Sequence, residues 1–298
     1  MENLISYFST FLSSKELFLN EDLKLHCSFK IGGRAKVFIQ PKSKKHLKKC
    51  FDYILKNEIN YHILGAGTNT LFNDEDFNGV IINLNNFKKI YRLSHWVYAE
   101  SGVSLFKFNE YLGKVGLSGL EYTYGIPASV GGGIAQNCGA YGHNITDCIK
   151  KIVVLDGHIF KTIKNEKLIF EYRNSTFKQN KNLVIIGAWF KLKKTKPHEV
   201  KKLMDEIISK RKANQPYNMP SAGSVFKRKD GIIISKLIDE MGLKGYSIGG
   251  AQVSTKHAGF IVNYDNAKSE DVKELIKYIK NKIKNEKNID LECEIVIL

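Results

Sequence analysis

Two glycine-rich stretches are the first places in this sequence where a ligand could bind. Residues 64–71 read L-G-A-G-T-N-T-L and follow a short strand candidate at Tyr61–Leu64. Glycines at the end of a strand let backbone N–H groups approach and hold a phosphate. Thr70 interrupts the G-x-G-x-x-G dinucleotide fingerprint, and a G-x-G taken alone is more often an ordinary turn.

The second stretch, residues 119–142, contains seven glycines and one proline in 24 residues. Such a density of glycine disfavours a regular helix or strand. A flexible linker would be rich in Ser, Pro and charged residues, whereas this stretch carries Ile126, Val130, Ile134 and Tyr141. The composition favours a folded loop, and it leaves open whether a large ligand lies against that loop.

Two isolated polar residues could take part in chemistry. Arg173 lies in the stretch E-Y-R-N-S-T-F, and an isolated Arg is usually part of a surface ion pair. Ser224 follows a glycine in P-S-A-G-S-V-F-K, where a serine is usually a turn or cap residue. Because no G-x-S-x-G motif surrounds Ser224, the sequence disfavours a hydrolase.

The C-terminal part of the chain carries two more polar groups. Within residues 250–263, four polar side chains precede an apolar strand candidate, namely Gln252, Ser254, Lys256 and His257. A polar loop is the usual explanation, although binding residues are common in such positions. Within residues 289–297, apolar side chains alternate with Asp290, Glu292 and Glu294, which predicts a strand with carboxylates on one face.

The pattern of apolar residues predicts the elements that would hold these groups. Helical periodicity predicts helices at 42–58, 104–115, 198–211, 231–241 and 267–285. Apolar runs and alternation predict strands at 61–64, 80–84, 97–100, 152–155, 158–163, 183–192, 258–263 and 289–297. Asp156-Gly157 predicts a hairpin turn. Helices and strands mix without a strict βαβ alternation, so the predicted fold class is α+β, with a domain boundary near residue 198.

The net charge of +16 admits three explanations. Lysines are spread over residues 42–49, 191–202 and 273–287 rather than gathered in one patch with aromatic residues, which disfavours a nucleic-acid partner. Compositional drift toward Lys, Asn and Ile is the simplest explanation, and electrostatic attraction of polyanionic ligands is the second.

Cysteine content and hydropathy restrict the class of protein further. Five cysteines occur without a C-x-x-C spacing, so we expect neither a disulfide framework nor a metal site. No apolar run approaches the roughly 18 residues that a membrane helix needs. The first residues lack the basic region of a secretory signal, so we expect a cytoplasmic protein that does not insert into membranes. No obligate protein partner is evident.

Taken in order, these stretches resemble the UDP-N-acetylenolpyruvoylglucosamine reductase (MurB) family. The shared motifs are the first glycine loop, G-I-P-x-S-V-G-G, Y-R-x-S-x-F, A-G-S-x-F-K, A-Q-V-S-x-K-H-A-x-F-I-V-N and a terminal L-E-x-E. They run from Phe29 to Glu294, nearly the whole chain, and six motifs in the same order would not agree by chance.

The resemblance implies an FAD-binding region of two subdomains, of the vanillyl-alcohol-oxidase (PCMH) type, in residues 1–197. An α+β substrate-binding domain would follow in residues 198–298. The residues that the resemblance places around the FAD are Gly65, Ala66, Gly67, Thr68, Asn69, Thr70, Leu71, Gly125, Ile126, Pro127, Ser129, Gly131, Gly132, Asn137, Gly139, Ala140, Tyr141, Gly142 and Arg211. This fold is not the Rossmann fold, which agrees with the missing fingerprint.

The implied reaction is the reduction of UDP-N-acetylglucosamine enolpyruvate to UDP-N-acetylmuramate, a peptidoglycan precursor. NADPH would reduce the FAD and leave, and the flavin would then pass hydride to the vinyl group of the UDP-sugar. Arg173 and Glu294 match the family residues that stabilise the resulting anion, and Ser224 matches the residue that protonates it. Only the resemblance selects Glu294 over Glu292. Substrate contacts are expected at Lys227, Gln252, Ser254, Lys256 and His257.

Two departures and two alternatives accompany this interpretation. Ala128 stands where the family usually has Gly, and Lys229 stands where Pro is common. Another flavoprotein of the same FAD fold, such as an alcohol oxidase, would often tether its FAD to His or Cys and would give the A-G-S-x-F-K motif no role. A basic binding protein without enzymatic activity would be colourless.

The family has one kind with an inserted lid, whose tyrosine closes over the sugar nucleotide, and a lidless kind. The predicted strand, helix and loop between Arg173 and Ser224 leave little chain for a lid. We therefore expect the lidless (type II) kind, with Tyr217 as a packing residue.

Tyr217→Phe should accordingly leave the KM for the UDP-sugar nearly unchanged. Loss of a lid hydrogen bond to a charged pyrophosphate would cost about 1.5–3 kcal/mol, or roughly tenfold or more in affinity. Steady-state kinetics at normal flavin content measures the difference, and a KM increase of that size would assign the lidded kind instead.

Overall fold

The computed structural model describes residues 1–298, which form eight α-helices, 21 short β-strands and four 3₁₀ turns. The helices are α1 (Glu2–Ser9), α2 (Lys44–Lys56), α3 (Leu105–Lys114), α4 (Val130–Ala135), α5 (Thr176–Gln179), α6 (Pro197–Asn214), α7 (Ile234–Glu240) and α8 (Ser269–Lys287). The strands are β1 (Leu17–Asp22), β2 (Arg34–Ile39), β3 (Tyr61–Leu64), β4 (Thr70–Leu71), β5 (Phe77–Asn83), β6 (Ile90–Leu93), β7 (Trp96–Glu100), β8 (Leu117–Ser118), β9 (Gly139–Ala140), β10 (His143–Asn144), β11 (Ile149–Asp156), β12 (Ile159–Lys164), β13 (Phe170–Glu171), β14 (Asn174–Ser175), β15 (Leu183–Lys191), β16 (Lys193–Lys194), β17 (Ser221–Ser224), β18 (Ser247–Ile248), β19 (Ala251–Val253), β20 (Phe260–Asn263) and β21 (Val296–Ile297). The predicted α+β class is confirmed, as are all five predicted helices.

The chain divides into two compact units, each made of three separate segments. The first unit comprises Met1–Leu19, Val37–Ala66 and Gly79–Lys210, and the second comprises Asn20–Lys36, Gly67–Asn78 and Arg211–Leu298. The predicted boundary near residue 198 lies within α6, and the sequence contained no sign that segments 20–36 and 67–78 belong with the C-terminal part. The assignment of FAD to residues 1–197 and of substrate to residues 198–298 stays a prediction.

Helices α1 and α2 of the first unit pack against a four-stranded sheet of order β1-β2-β5-β3. The side chain of Ser43 begins α2 by accepting a hydrogen bond from His46 N at 3.1 Å. Leu47, Phe51 and Ile54 then recur on one face of the helix and are fully buried. The same three apolar residues carried the sequence-based prediction of this helix.

A second core of the first unit lies beside an antiparallel sheet of order β12-β11-β15-β7-β6. Strand β15 has neighbours on both sides, and its residues belong to both cores of the unit. Val184 and Ile186 contact the core near α1 and α2, whereas Ala188 and Phe190 contact the core near α3 and α4. Burial of both faces explains why this strand reads as a nearly continuous apolar run.

The second unit is built on an antiparallel sheet of order β17-β20-β19-β18. Helix α8 lies against β18 and β19, and it buries an apolar face that includes Val272, Leu275 and Ile279. Strands β4 and β21 form a separate parallel pair, with Val296 opposite Thr70. The last residues of the chain therefore pair with the last two residues of the first glycine stretch.

The predicted C-terminal strand at residues 289–297 is wrong. Only Val296–Ile297 forms a strand, and Cys293 makes a single β-bridge to Phe226, with a bend between the two pairings. The segment pairs first with Phe226 and then with β4, so it bends between these two partners and does not continue as one strand. Alternation survives in part, since Leu291 is buried, but Ile297 is 38% exposed.

The second glycine-rich stretch contains a regular helix, α4, which its composition had disfavoured. Val130 and Ile134 of this helix are fully buried in the core beside β7. A Cβ on Gly131 would lie 2.7 Å from the Cβ of Ser101, so only glycine permits this approach. Tertiary burial stabilises α4 against the poor helix propensity of its glycines.

Three further observations concern the helices, the potential metal ligands and the cysteines. No helix in the structure combines the length and apolarity needed to cross a membrane. No three His, Cys, Asp or Glu side chains gather closely enough to hold a metal ion. All five cysteines are unpaired, and Cys27, Cys50 and Cys138 are buried.

Glu16 is a buried carboxylate of the first unit, with a side chain that is 4% exposed. It shares a hydrogen bond of 2.7 Å with His46 Nδ1, and it accepts bonds from Lys42 N at 2.9 Å and Ser13 Oγ at 2.8 Å. Burial opposes ionisation, but the hydrogen bonds outweigh it and lower the pKa of Glu16 from 4.5 to about 2.

Because the pKa is lowered in the folded state, Glu16 should stabilise the fold above pH 4.5 and lose this effect as the pH falls to about 2. Glu16→Gln should lower the free energy of unfolding at pH 7 by on the order of 3 kcal/mol. Chemical denaturation at a series of pH values measures how this difference shrinks in acid. Glu2→Gln, at an exposed position of α1, is the control. A difference between Glu16→Gln and the unchanged protein that stays constant with pH would contradict the assignment.

Candidate active site

The two glycine stretches approach each other closely in the first unit. A Cβ on Gly65 would lie 2.8 Å from Ser129 Oγ and 3.6 Å from Gly132 N. Ser129 Oγ accepts a hydrogen bond from Gly132 N at 3.2 Å and so begins α4. The three residues outline a small cradle of backbone groups that any side chain at position 65 would fill. Such a cradle suits a phosphate group, because backbone N–H groups can reach it.

Asn83 supports the cradle from β5, a contact that the sequence analysis missed. Its side chain is 1% exposed and donates a hydrogen bond to Gly65 O at 3.0 Å. The signal for it was present, since Asn83 is a polar residue at the end of the apolar run V-I-I-N. A buried amide requires partners, and here the partner is the first glycine stretch.

Arg173 is held against the second glycine stretch. Its Nη2 donates to Gly139 O at 3.1 Å and its Nη1 lies 3.4 Å from Asn137 O. The backbone of Arg173 is left-handed, with φ +56°, and its guanidinium lies 5.0 Å from the ring centre of Tyr172. A left-handed backbone is unfavourable for Arg, and such residues cluster at functional sites.

The residues around Arg173 are themselves fixed by hydrogen bonds. Asn137 is buried, and its Nδ2 donates to Glu171 O at 2.9 Å while its Oδ1 accepts from Thr146 Oγ1 at 3.0 Å. Asn137 and Tyr141 also have left-handed backbones, with φ +43° and +54°. The structure thus brings the predicted anion-stabilising Arg together with the predicted cofactor residues 137–142.

In the second unit, the structure brings Asn69, Ser224 and Glu294 into neighbouring backbone segments. Glu294 N donates to Val225 O at 2.7 Å, directly after Ser224. Asn69 Nδ2 donates to Glu294 O at 3.1 Å. Asn69, a predicted cofactor residue of the first glycine stretch, therefore contacts the backbone of the predicted acid Glu294.

Glu292 and Glu294, which alternation alone did not distinguish, have different environments. Glu292 has a side chain that is 77% exposed and forms an ion pair of 2.6 Å with Lys227 Nζ. Glu294 is half-buried. An exposed ion pair is a common surface feature, so the structure favours Glu294 as the site residue.

Comparison with known proteins finds two matching domains. Residues 35–162 match the FAD binding domain, and residues 215–298 match the UDP-N-acetylenolpyruvoylglucosamine reductase C-terminal domain. The UDP-N-acetylenolpyruvoylglucosamine reductase of Caldanaerobacter subterraneus subsp. tengcongensis is 40% identical over 100% of this chain and 98% of its own length. That of Pseudothermotoga lettingae is 43% identical over 95% of this chain and 98% of its own length. The chain belongs to the UDP-N-acetylenolpyruvoylglucosamine reductase family.

Solved structures agree with this assignment. UDP-N-acetylenolpyruvylglucosamine reductase (MurB) from Thermus caldophilus superposes with a TM-score of 0.81 at 32% identity, over 95% of this chain and 98% of that chain. The glucose dehydrogenase Phl p 4.0202 gives a TM-score of 0.50 at 11% identity over 75% of this chain and 52% of that chain, a likeness of the fold alone. The predicted family and the predicted FAD-binding fold are confirmed.

The remaining residues that the reductase family resemblance assigned to FAD lie in the two glycine stretches and in α6. Gly125, Ile126 and Pro127 form the turn before α4, and Ala140 and Gly142 lie in and after β9. Ala66, Gly67 and Thr68 form the loop after β3, and Thr70 and Leu71 are the strand β4. Arg211 is 9% exposed in the last turn of α6. Ala128, the departure from the reductase pattern, packs its methyl group against the core of the first unit.

The predicted substrate residues of this reductase make bonds within the second unit. Ser254 is 3% exposed, and its Oγ accepts from Lys256 N at 3.2 Å and His257 N at 3.3 Å, as in a tight turn. Lys256 Nζ donates to Lys212 O at 2.6 Å. Gln252 Nε2 donates to a neighbouring hydroxyl at 3.0 Å. Substrate contact by these residues, as by Lys227, stays a prediction.

The environment of His257 favours the neutral form of its ring. Burial lowers the pKa of the ring below its ordinary value of 6.5, and Lys244 contributes in the same direction. Nδ1 accepts a hydrogen bond from Gly259 N at 3.1 Å. Because Nδ1 accepts this bond, the neutral ring carries its proton on Nε2.

The interval between Arg173 and Ser224 is occupied mainly by β14, α5, β15, β16 and α6, and residues 215–220 are its longest stretch between elements. This supports the lidless kind of reductase. The expectation that Tyr217 is a packing residue is wrong, because its side chain is 45% exposed. The loop is too short to bury a ring, and its buried residue is Pro216 instead.

Gly65→Ala tests the cradle directly. The new methyl group would lie 2.8 Å from Ser129 Oγ, so we expect the flavin content of the purified protein to fall to a small fraction of its normal value. Absorbance of released flavin per mole of protein measures this. Gly113→Ala in α3, whose Cβ would be 3.4 Å from the flexible Met204 Sδ, is the matched control and should retain flavin. Equal flavin content in both variants would show that Gly65 does not face the cofactor.

Proposed function

We propose that the protein reduces UDP-N-acetylglucosamine enolpyruvate to UDP-N-acetylmuramate with NADPH, using FAD as its bound cofactor. Bound FAD supplies the hydride chemistry, by accepting hydride from NADPH and delivering it to the vinyl group. Membership of the reductase family at about 40% identity over the whole chain supports the assignment. The observation that carries it is Arg173, whose backbone is left-handed and whose guanidinium donates hydrogen bonds to carbonyl groups of the predicted cofactor stretch.

The residues present fit an FAD. The cradle at Gly65, Ser129 and Gly132 has room for a phosphate group only because no Cβ fills it. Asn137 and Gly139 of the second glycine stretch are held by hydrogen bonds within the first unit. These groups would hold the pyrophosphate and the flavin, since preorganised donors bind anions without further rearrangement.

Arg173 supplies permanent positive charge for the reaction. After hydride addition, negative charge spreads from the adjacent carbon onto the substrate carboxylate, and a guanidinium stabilises such an anion through paired N–H donors. Two of its nitrogen atoms contact Asn137 O and Gly139 O. These contacts fix the plane of the guanidinium, so its remaining N–H groups have a defined direction.

Glu294 and Ser224 act as proton donors in this proposal. Glu294 assists the anion only in its protonated form, in which a carboxylic acid can donate a hydrogen bond. Ser224 gives its proton to the carbon, which is a strong enough base to accept it from a positioned hydroxyl. The backbone bond from Glu294 N to Val225 O ties the two residues to adjacent positions, which supports a joint role.

The proposed reaction indicates the cellular compartment and the biosynthetic process in which the protein acts. Its substrate and NADPH are soluble metabolites, which favours action in the cytoplasm without a membrane segment or an obligate protein partner. The product is a precursor of peptidoglycan, so loss of the activity would affect cell shape and cell division. The net charge of +16 would favour the approach of anionic substrates.

An anaerobic NADPH titration followed by visible absorbance tests the proposal. The purified protein should be yellow, NADPH should bleach it, and UDP-N-acetylglucosamine enolpyruvate should then restore the colour. A colourless protein that takes up no added FAD would overturn the proposal. Bleaching by an alcohol rather than by NADPH would instead indicate a flavoprotein oxidase of the same fold.

Ser224→Ala should separate the two half-reactions. Loss of the proton donor should slow reoxidation of the flavin by the enolpyruvyl substrate by about 100-fold or more, while reduction by NADPH continues at nearly the normal rate. Stopped-flow absorbance measures both rates. Ser235→Ala, the same truncation in α7, should change neither. Equal loss of both half-reactions in Ser224→Ala would assign Ser224 to flavin binding or to the fold.

A further inference from the structure

Ser28 bonds to both the first glycine stretch and the strand that carries Ser224. Its backbone N–H donates to Gly67 O at 3.1 Å. Its hydroxyl donates to Ser221 O, the first residue of β17, at 2.5 Å. Ser28 is half-buried in segment 20–36 of the second unit, and no motif of the sequence analysis included its side chain.

Strand β17 needs such support because its pairing with β20 is irregular. Ser221 lies opposite Val262 and Ser224 lies opposite Phe260, with a register shift between the two pairs. Gly223 lies within this shift and has φ +78°, a conformation that suits glycine. A bulge leaves part of a strand without ladder bonds and re-aims a neighbouring side chain. Ser224 itself pairs with Phe260 beyond the bulge, so the course of the strand between Ser221 and Ser224 also depends on what holds Ser221.

The segment that contains Ser28 is anchored independently of its hydroxyl. Phe29 and Ile31 are fully buried. Asn263 Nδ2 donates to Phe29 O at 3.2 Å, and Asn263 Oδ1 accepts from Ala267 N at 2.8 Å. Removal of the Ser28 hydroxyl therefore leaves these contacts in place, and the segment should keep its fold.

We infer that Ser28 is a positioning residue for the protonation step, which rests on the proposed function. Its hydroxyl fixes the start of the bulged strand β17, and its N–H ties the same segment to the glycine loop at Gly67. Ser224 is thereby held at a set position along the strand, relative to the part of the glycine loop that belongs to the second unit. Ser28 touches neither substrate nor cofactor in this assignment and acts only through Ser224.

Ser28→Ala, Ser28→Thr and the unchanged holoenzyme distinguish this role from a structural one. In Ser28→Ala, reoxidation by UDP-N-acetylglucosamine enolpyruvate should slow by about 10-fold, because a displacement of about 1 Å in a reacting group costs up to about 100-fold. Reduction by NADPH, the FAD dissociation constant and the melting temperature should stay near their normal values. Ser28→Thr keeps the hydroxyl and should restore most of the reoxidation rate.

Thr10→Val provides a matched control, because Thr10 Oγ1 likewise donates to a backbone carbonyl, that of Tyr7, at 2.7 Å. Stopped-flow absorbance gives both half-reactions, and flavin fluorescence gives the FAD dissociation constant of the apoprotein. Normal reoxidation in Ser28→Ala would overturn the inference. The inference would also be overturned if Ser28→Ala slowed both half-reactions equally and weakened FAD binding, and if Ser28→Thr restored neither. If the unchanged enzyme itself is not reoxidised by this substrate, the proposed function fails, and the inference with it, before any variant is compared.

Discussion

The close approach of two backbone segments at Gly65, Ser129 and Gly132 is the constraint on which the predicted cofactor site depends. A Cβ added at position 65 would lie only 2.8 Å from Ser129 Oγ. The two segments can therefore approach this closely only because position 65 is glycine. Ser129 also begins α4, because its hydroxyl accepts a hydrogen bond from Gly132 N. The buried Asn83 holds Gly65 from the other side. A phosphate site of this kind is made from backbone groups, and it requires residues without bulky side chains around it.

Backbone carbonyl groups accept hydrogen bonds from two polar residues of the proposed site. Arg173 contacts carbonyls of Asn137 and Gly139, and Ser28 contacts the carbonyl of Ser221. The two carbonyl bonds orient the guanidinium of Arg173, and electrostatic stabilisation of an anion requires groups that are oriented in advance.

Within each unit, regular secondary structure provides the rigid core, and irregular backbone carries the residues of the proposed site. Long paired strands such as β15 and the helix α8 bury apolar surface and provide rigidity. The proposed site residues lie instead at left-handed positions, bulges and turns, as Arg173, Tyr141 and the β17 bulge illustrate. Such backbone is unfavourable in isolation and persists where surrounding contacts determine it. Asn137 and Ser28 supply these contacts through hydrogen bonds to distant segments.

The sequence by itself determined the regular elements and the family. Helix α2 and strand β15 follow from local apolar periodicity, which depends on residues only a few positions apart, and six ordered motifs identified the reductase. Only the tertiary structure decided what depends on distant residues. Burial against β7 makes a helix of a glycine-rich stretch, and two different partners break the expected C-terminal strand. Glu292 is exposed and Glu294 is half-buried, a difference that depends on the distant residues packed around each of them. The bond from Ser28 to Ser221 spans 193 positions, and no local pattern encodes a hydrogen bond whose partners meet only after the chain has folded.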